Sequence, residues 1–323
     1  MTLPGREQGL EFRPITEADL AAWYELVLRI SEAEKPPWHD QPEDLANALS
    51  SAKNDPRQNT LLGLDESGVP RAFGRVSKNP GGDKAHVFGG VDPQWQRRGI
   101  GSAVLGWQLR QVARRFAEQG QSPARARGFL EADNAAQRAL YAAHGFEVVR
   151  YFSEMRRPLA EAIPDIELAP DLQLARYRPE QSEAVRLAHN AAFADHWGSE
   201  PRDAEAWANT VGHPQFRADW SSVVLDAGSG DVVGYQLASY DDEVLTNFGR
   251  REGYTELLGV RREYRGRWIA AALLADALQR FAEAGMDYAA LDVDTESPTG
   301  AVGLYDRMGY RPTHRSMALD RVL

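Results

Sequence analysis

Apolar positions along this chain repeat at two spacings, and the spacings alternate in a set order. Val104, Leu105, Leu109, Val112 and Phe116 stand one, three or four residues apart, the spacing of a single helix face. The run ahead of them, His86-Val87-Phe88-Gly89-Gly90-Val91, reads as a strand. Between the two lies a glycine-bearing turn, Gln96-Arg97-Arg98-Gly99-Ile100-Gly101, so the local order is strand, turn, helix. Upstream, Leu10 to Pro14 reads as a strand, and Leu20, Trp23, Tyr24, Leu26 and Val27 as a helix face introduced by Thr16-Glu17-Ala18-Asp19. Polar, proline-bearing residues 31–40 predict a loop, and Gln41 to Ser51 a second helix. Thr60 to Leu64, Arg71 to Ser77 and Lys84 to Val91 predict strands. Beyond the glycine turn come a strand at Arg125 to Glu131, a helix at Asn134 to His144 and a strand that opens at Gly145.

The order then starts again. The segment 158–171 carries three prolines and several acids, which marks it as a linker. After it, strands are expected at Leu172 to Tyr177, Ser222 to Leu225, Val232 to Ser239 and Tyr254 to Val260, with a helix at Ser182 to Ala194. Ala270, Leu273, Leu274, Ala277, Leu278 and Phe281 form a second helix face. A strand at Tyr288 to Val293, a helix at Thr299 to Met308 and a last strand opening at Gly309-Tyr310 complete the pattern. Val91 answers to Val260, Tyr141 to Tyr305, and Gly145-Phe146 to Gly309-Tyr310. So long a period means a duplicated domain rather than a solenoid. Domains are expected at 1–158 and 172–323, with 159–171 between them.

Composition narrows the chemistry. The 323 residues include 37 Lys+Arg against 47 Asp+Glu, a net charge of −10. Such an acidic chain is a poor candidate for a general nucleic-acid or anionic-membrane binder. It has no cysteine, which excludes disulfides, thiolate metal sites and a cysteine nucleophile. No metal is expected. No apolar stretch approaches membrane-spanning or signal-peptide length, and the expectation is a soluble, cytoplasmic protein.

The glycine turn is the first candidate for chemistry. It leaves backbone N–H groups unpaired at a helix start, at the positive end of the helix dipole, where an anion such as a pyrophosphate can be held. Taken with Asn134, Leu140-Tyr141 and Gly145-Phe146 downstream, the turn resembles the acyl-CoA pyrophosphate loop of the GNAT superfamily of N-acyltransferases. The second half resembles it too, through Arg265-Gly266-Arg267-Trp268-Ile269-Ala270, Ser297-Pro298-Thr299, Leu304-Tyr305 and Gly309-Tyr310. Among tandem members, Phe193-Ala194-Asp195-His196-Trp197-Gly198 and Ser297 to Gly300 are similar to stretches in the mycothiol synthase group.

The resemblance implies an α/β (α+β) chain of two tandem GNAT folds. Each would be a mixed, strongly twisted sheet flanked by helices. It also implies acetyl-CoA as acyl donor and a small-molecule amine as acceptor. Pantetheine would lie along the strand before each loop, where that strand splays from its neighbour, near Gly90 and Val91 and near Leu258 and Val260. Tyr141 and Tyr305 stand where the family's general acid stands. A base is expected on the strand before the loop. By alternation Tyr254, Glu256, Leu258 and Val260 share one face, which makes Glu256 the candidate. The corresponding face of the first half, Ala85, Val87, Gly89 and Val91, has no titratable group, and His86 falls on the other face. Asn134 and Ser297 are also explained as helix N-caps, with Pro298 in the first helical turn. Glu32 and Glu34 in the first half, and Asp195, His196 and Trp197 in the second, fall in the region that shapes the acceptor site.

Trp268 stands where Gly99 stands in the first loop, and either stacks on CoA or blocks it. The second half thus carries the better acid–base pair and the first the better loop. Three readings follow: transfer in the second half through Glu256 and Tyr305, transfer in the first half through Tyr141, or a non-catalytic acyl-CoA-binding protein.

Overall fold

The computed structural model describes residues 3–5, 9–297 and 300–323, which divide into two compact units. The first comprises residues 1–151 with 316–323, and the second residues 152–315. The segment 159–171 therefore lies inside the second unit. Arg157 anchors it there by donating to the carbonyls of Glu161 and Ala162 at 3.3 and 2.8 Å.

In the first unit the strands are β1 (Glu11–Arg13), β2 (Thr60–Leu64), β3 (Pro70–Ser77), β4 (Ala85–Val91) and β5 (Arg125–Glu131). β1 to β4 pair in series as antiparallel neighbours, and β4 meets β5 in parallel. The far side of β5 is closed by Ser316–Val322, antiparallel to it. Helix α4 (Ile100–Glu118) lies on one face, where Val104, Leu105, Leu109, Val112 and Phe116 pack with Leu61, Val76, Val87 and Leu130 as their spacing predicts. On the other face α1 (Leu20–Glu34) and α2 (Pro42–Ser50) enclose Trp23, Leu26, Leu45 and Leu49 against Leu62 and Phe73. Helix α1 runs to Glu34, past the predicted loop boundary at 31, and stops where Lys35 turns left-handed. A single turn, α3 (Pro56–Asn59), was not foreseen, while α5 (Ala135–Ala143) and β6 (Glu147–Pro158) fall where the pattern put a helix and a strand.

The second unit repeats this plan. β7 (Leu172–Arg176), β8 (Phe216–Asp226), β9 (Val232–Tyr240) and β10 (Glu252–Val260) pair in antiparallel series, and β10 meets β11 (Tyr288–Asp294) in parallel. Phe152–Pro158, the second part of β6, closes β11. Helix α9 (Ile269–Glu283) buries Leu274, Ala277, Leu278 and Phe281 against Ala238, Leu291 and Val293. On the opposite face α6 (Ser182–Ala192) and α7 (Ala204–Val211) enclose Val185, Ala188 and Trp207 with Val223, Tyr235 and Leu237. Neither α7 nor the short α8 (Glu243–Phe248) was legible in the apolar spacing. The chain ends with α10 (Ala301–Arg307) and β12 (Arg311–Val322). Each half is thus a mixed sheet flanked by helices, and in each the strand beyond β5 or β11 comes from far along the chain.

Asp320 of β12 ties this arrangement in the first unit. It is buried and accepts from Arg127 Nε and Nη2 at 2.7 and 2.8 Å, and from Arg125 Nη1 at 3.1 Å. Burial alone would raise its pKa. The Arg127 and Arg125 guanidiniums outweigh that and hold it below the usual carboxylate range, so its stabilisation is present at neutral pH and fades as pH falls through the folded value. Among the described residues no helix is long and apolar enough to cross a membrane. Removing one partner of a buried pair costs about 3–5 kcal/mol. Asp320→Ala is therefore expected to lower stability by about 3 kcal/mol in urea unfolding at neutral pH, and a midpoint equal to wild type would show that the pair contributes little.

Candidate active site

The two parallel pairings are short. β4 and β5 pair only at Ala85 with Ala126 and His86 with Arg127. β10 and β11 pair only from Glu252 with Tyr288 to Tyr254 with Ala290. Beyond those points the strands part, which frees main-chain groups along one edge of Val87–Val91 and of Thr255–Val260. An extended amide chain could pair there.

The loops that follow have the same backbone shape in both halves, with the glycine moved. In Gln96–Gly101 the second and fourth residues are left-handed, Arg97 at φ 63° and Gly99 at φ 77°. In Arg265–Ala270 the same two positions are left-handed, Gly266 at φ 79° and Trp268 at φ 62°. Gly99 and Trp268 are the N-caps of α4 and α9, so both helices present their N-termini in the same way. The Trp268 indole is 64% exposed. Ile100 and Ile269, the first helical residues, are buried.

The loops differ in charge. The Gln96 side chain donates to the Val91 carbonyl and to Glu34 Oε1, both at 3.5 Å. Arg98 donates to the Gln94 carbonyl at 3.3 Å and lies 4.6 Å from the Trp95 ring centroid. Among the described residues neither Arg97 nor Arg98 has a carboxylate partner. In the second loop Arg265 makes the matching contact to the Val260 carbonyl at 3.4 Å, but also a bidentate pair with Asp195 at 2.9 and 3.0 Å. That pair pulls the Asp195 carboxyl down to about 2. Arg267 Nη2 donates to both Asp171 carboxylate oxygens, at 2.6 and 2.7 Å. Both arginines of the second loop are therefore engaged by carboxylates of the chain itself.

A cavity of about 1070 Å³ opens in the first unit. Gly90, Val91, Gln96, Arg97, Gly99 and Gly101 line one side of it, Asn134 and Tyr141 another. Asn134 caps α5, its Oδ1 accepting from the Gln137 N–H at 3.0 Å. Its amide also donates to Glu34 Oε2 at 3.2 Å, and Gln137 Nε2 donates to the same oxygen at 2.8 Å. Burial pushes the Glu34 carboxyl above the usual range. Glu32 is exposed and does not line the cavity. Tyr141 packs on Phe146 with ring centroids 4.8 Å apart, and its ring occupies the space that a Cβ on Gly128 would take. Burial pushes the Tyr141 hydroxyl up, and among the described residues it has no hydrogen-bond partner.

The second unit adds what the first lacks. Thr255 pairs with Ala238 and Leu257 with Leu237, so Glu256 is the extra residue of a β-bulge. The bulge reverses the alternation beyond it. Leu257 packs with Tyr235 and Trp207, whereas Leu258 and Val260 pack with Ile269 and Leu273 of α9. The expected common face of Tyr254, Glu256, Leu258 and Val260 is thus wrong for its last two members. The Ser239 hydroxyl donates to Glu256 Oε2 at 3.5 Å. Solvent reaches Glu256, yet protein surrounds it on most sides. Burial, with the Asp292 charge, pushes its carboxyl above the usual range, against the opposing pull of Arg202 and His213. Tyr305 is buried, meets Tyr310 edge-on at 6.0 Å, and is pushed up to about 12 by burial. It thus repeats the placement of Tyr141 on Phe146.

Residues 58–148 match a model described as Acetyltransferase (GNAT) domain, and residues 182–310 one described as Acetyltransferase (GNAT) family. A mycothiol acetyltransferase of Thermobispora bispora is 30% identical over 231 residues, 68% of this chain and 70% of that one. The chain belongs to the GNAT family of acetyltransferases. A mycothiol acetyltransferase of Thermobifida fusca is 29% identical over 268 residues, 78% of each chain. Among solved structures, a GCN5-related N-acetyltransferase from Sphaerobacter thermophilus shares the fold at TM-score 0.73 and 24% identity, covering 99% of this chain and 97% of that one. A tandem GNAT protein from the clavulanic acid biosynthesis pathway aligns at TM-score 0.66 and 16% identity, over 97% and 98%. Acetyl-CoA is the acyl donor of the family.

One sequence expectation for this GNAT chain changes in the structure. Ser297 does not cap α10: its N–H bonds the Asp294 carbonyl at 3.1 Å, and Gly300 is the N-cap. Pro298 and Thr299 lie outside the described residues. Of the acids expected near an acceptor, Glu34 lines the first-unit cavity and also meets Gln96, and Asp195 pairs with Arg265. His196 bonds Ser199 at 3.1 Å, and Trp197 lies 6.3 Å from the Phe152 ring. Asp292, which accepts from the Tyr254 hydroxyl at 2.9 Å, was not among the sequence candidates, although one acid in the apolar run Ala289-Ala290-Leu291-Asp292-Val293 was a readable signal. Because a bulky left-handed residue costs about 1–2 kcal/mol and the exposed indole adds little packing, Trp268→Gly is expected to be neutral or stabilising by up to about 1 kcal/mol. A calorimetric loss above that would show that the indole contributes packing.

Proposed function

We propose that this GNAT chain is an acetyl-CoA-dependent N-acetyltransferase for a small-molecule amine, with transfer in the second unit. The observation that carries the reading is Glu256, which the bulge sets at the parting of β10 and β11 within reach of the Ser239 hydroxyl. A base of raised pKa is suited to take a proton from an ammonium near neutral pH. Glu256 accepts that proton, the freed amine nitrogen attacks the thioester carbonyl, and main-chain N–H groups on the free edge of β10 face the developing oxyanion. The carbon–sulfur bond then breaks, Tyr305 protonates the departing thiolate, and the surplus proton on the acylated nitrogen passes to the Tyr305 phenolate and restores it. The left-handed N-cap of α9 presents backbone amides to the pyrophosphate despite Trp268, whose indole is turned to solvent.

A second reading puts transfer in the first unit. It is favoured by the cavity at Gln96–Gly101, by Tyr141 lining that cavity, and by loop arginines that no carboxylate engages among the described residues. The mycothiol acetyltransferase relatives support a small-molecule acceptor.

Steady-state thiol release across an amine panel separates the two. Glu256→Gln and Tyr305→Phe are each expected to lower kcat/KM by about 10²-fold or more, with Tyr141→Phe near wild type. Full activity in both second-unit variants, with loss in Tyr141→Phe, would move the reaction to the first unit.

A further inference from the structure

We propose that the first unit holds a CoA thioester whose acyl group is aromatic, seated against Trp38, Phe88 and Phe129 where β4 and β5 part. The proposal goes beyond the acetyl transfer assigned to the second unit, and it concerns binding alone.

The two partings carry different side chains at matching positions. The last parallel pair is His86 with Arg127 in the first unit and Tyr254 with Ala290 in the second. Two residues further along β5 and β11 come Phe129 and Asp292, and two further along β4 and β10 come Phe88 and Glu256. The second unit thus places two carboxylates at its gap, and the first places two phenyl rings. His86 stacks on Phe129 with ring centroids 5.9 Å apart and planes at 25°. Arg75 lies over the Phe88 ring at 4.4 Å and donates to both oxygens of Asp40 at 3.3 and 3.4 Å, so its charge is already matched. Trp38 and Phe129 line the cavity and are 62% and 45% exposed, an aromatic surface with room for a guest.

The free strand edge leads to that surface. A pantetheine arm that starts at the amides of Gln96–Gly101 and follows Val87–Val91 is stopped at His86, where β4 and β5 pair. Its acyl end must leave the sheet there on one face. On the α4 face buried Gln108 occupies the place, its Nε2 donating to the Phe88 carbonyl at 2.6 Å and the Arg75 carbonyl at 3.1 Å. The α1 face is apolar instead. Ile30 and Phe73 lie beneath Gly90, where a Cβ would come within 2.6 Å of Ile30 Cδ1, and the cavity continues from them to Trp38, Phe88 and Phe129. The acyl group therefore turns towards the rings. An acetyl group is too small to cover them, whereas an aryl group meets them by offset or edge-on contact. Phe88 and Phe129 offer nothing that could take a proton from an amine, so the thioester is held at this place rather than spent.

Isothermal titration of the full chain with phenylacetyl-CoA and with acetyl-CoA tests this. Phenylacetyl-CoA is expected to fill one site per chain about tenfold more tightly than acetyl-CoA or better, the effect of burying one aromatic ring. Phe129→Asp, which installs the second unit's residue at an exposed position, brings the two thioesters within about twofold of each other. Trp38→Ala weakens phenylacetyl-CoA by about threefold or more and leaves acetyl-CoA unchanged. Equal affinities in the wild type, or a preference that survives both variants, overturns the proposal. Phenethylamine bound alone with the same dependence on Phe129 overturns it in favour of an aromatic acceptor amine. These outcomes are read from binding, whereas the Glu256 assignment is read from turnover, so either can fail without the other.

Discussion

The candidate chemistry depends on two parallel strand pairings that stop almost as soon as they start. A strand edge with free N–H and C=O groups inside a sheet is costly unless something pairs with it. The gap persists because each parted strand is held on its other side. β4 is held by β3 and β10 by β9, in long antiparallel ladders. β5 and β11 are held by Ser316–Val322 and Phe152–Pro158, which reach them from distant parts of the sequence. The last strand of each half is therefore part of the frame that keeps the parted edge open, and Asp320 fixes one of those strands by charge.

On this shared frame the halves have diverged in what they place at the gap. Both loops keep left-handed residues at the same two positions, but the glycine serves a different one in each. Backbone geometry is thus preserved while side chains change. Among the described residues the first loop leaves its arginines without carboxylate partners, and it opens on a cavity. The second commits Arg265 and Arg267 to Asp195 and Asp171. The β3–β4 register runs from Ala72 with Val91 to Ser77 with His86 without a shift, whereas β10 carries the bulge. Only the second strand gains an acid at the parting.

Local features were legible in the sequence. Helix faces followed from apolar spacing, the loops from glycine and its neighbours, and the duplication from landmarks such as Tyr141 and Tyr305. Features set by pairing were not. Strict alternation put Leu258 and Val260 beside Glu256, because one extra residue in a ladder leaves no mark in composition. The same limit hid the closing strands, since nothing local in Ser316–Val322 shows that β5 is its partner. Glu34 and Asp195 were expected at the acceptor site, but their contacts were not legible, because Gln96 and Arg265 lie far away in sequence.

The bulge also explains how one strand can carry an acid at this place at all. β10 must present Leu258 and Val260 to α9 to bury that helix, and it must pair with β9 along its length. In an unbroken strand, the face that carries Tyr254 and Glu256 would also carry Leu258 and Val260. Either the leucine would be left beside the carboxylate, or the carboxylate would be driven against α9. The extra residue removes the conflict, because positions before it keep the face of Tyr254 and positions after it change over. Glu256 is then the residue at which the strand changes face, at the point where β11 has just turned away. The first strand, without a bulge, keeps its alternation and carries no acid there.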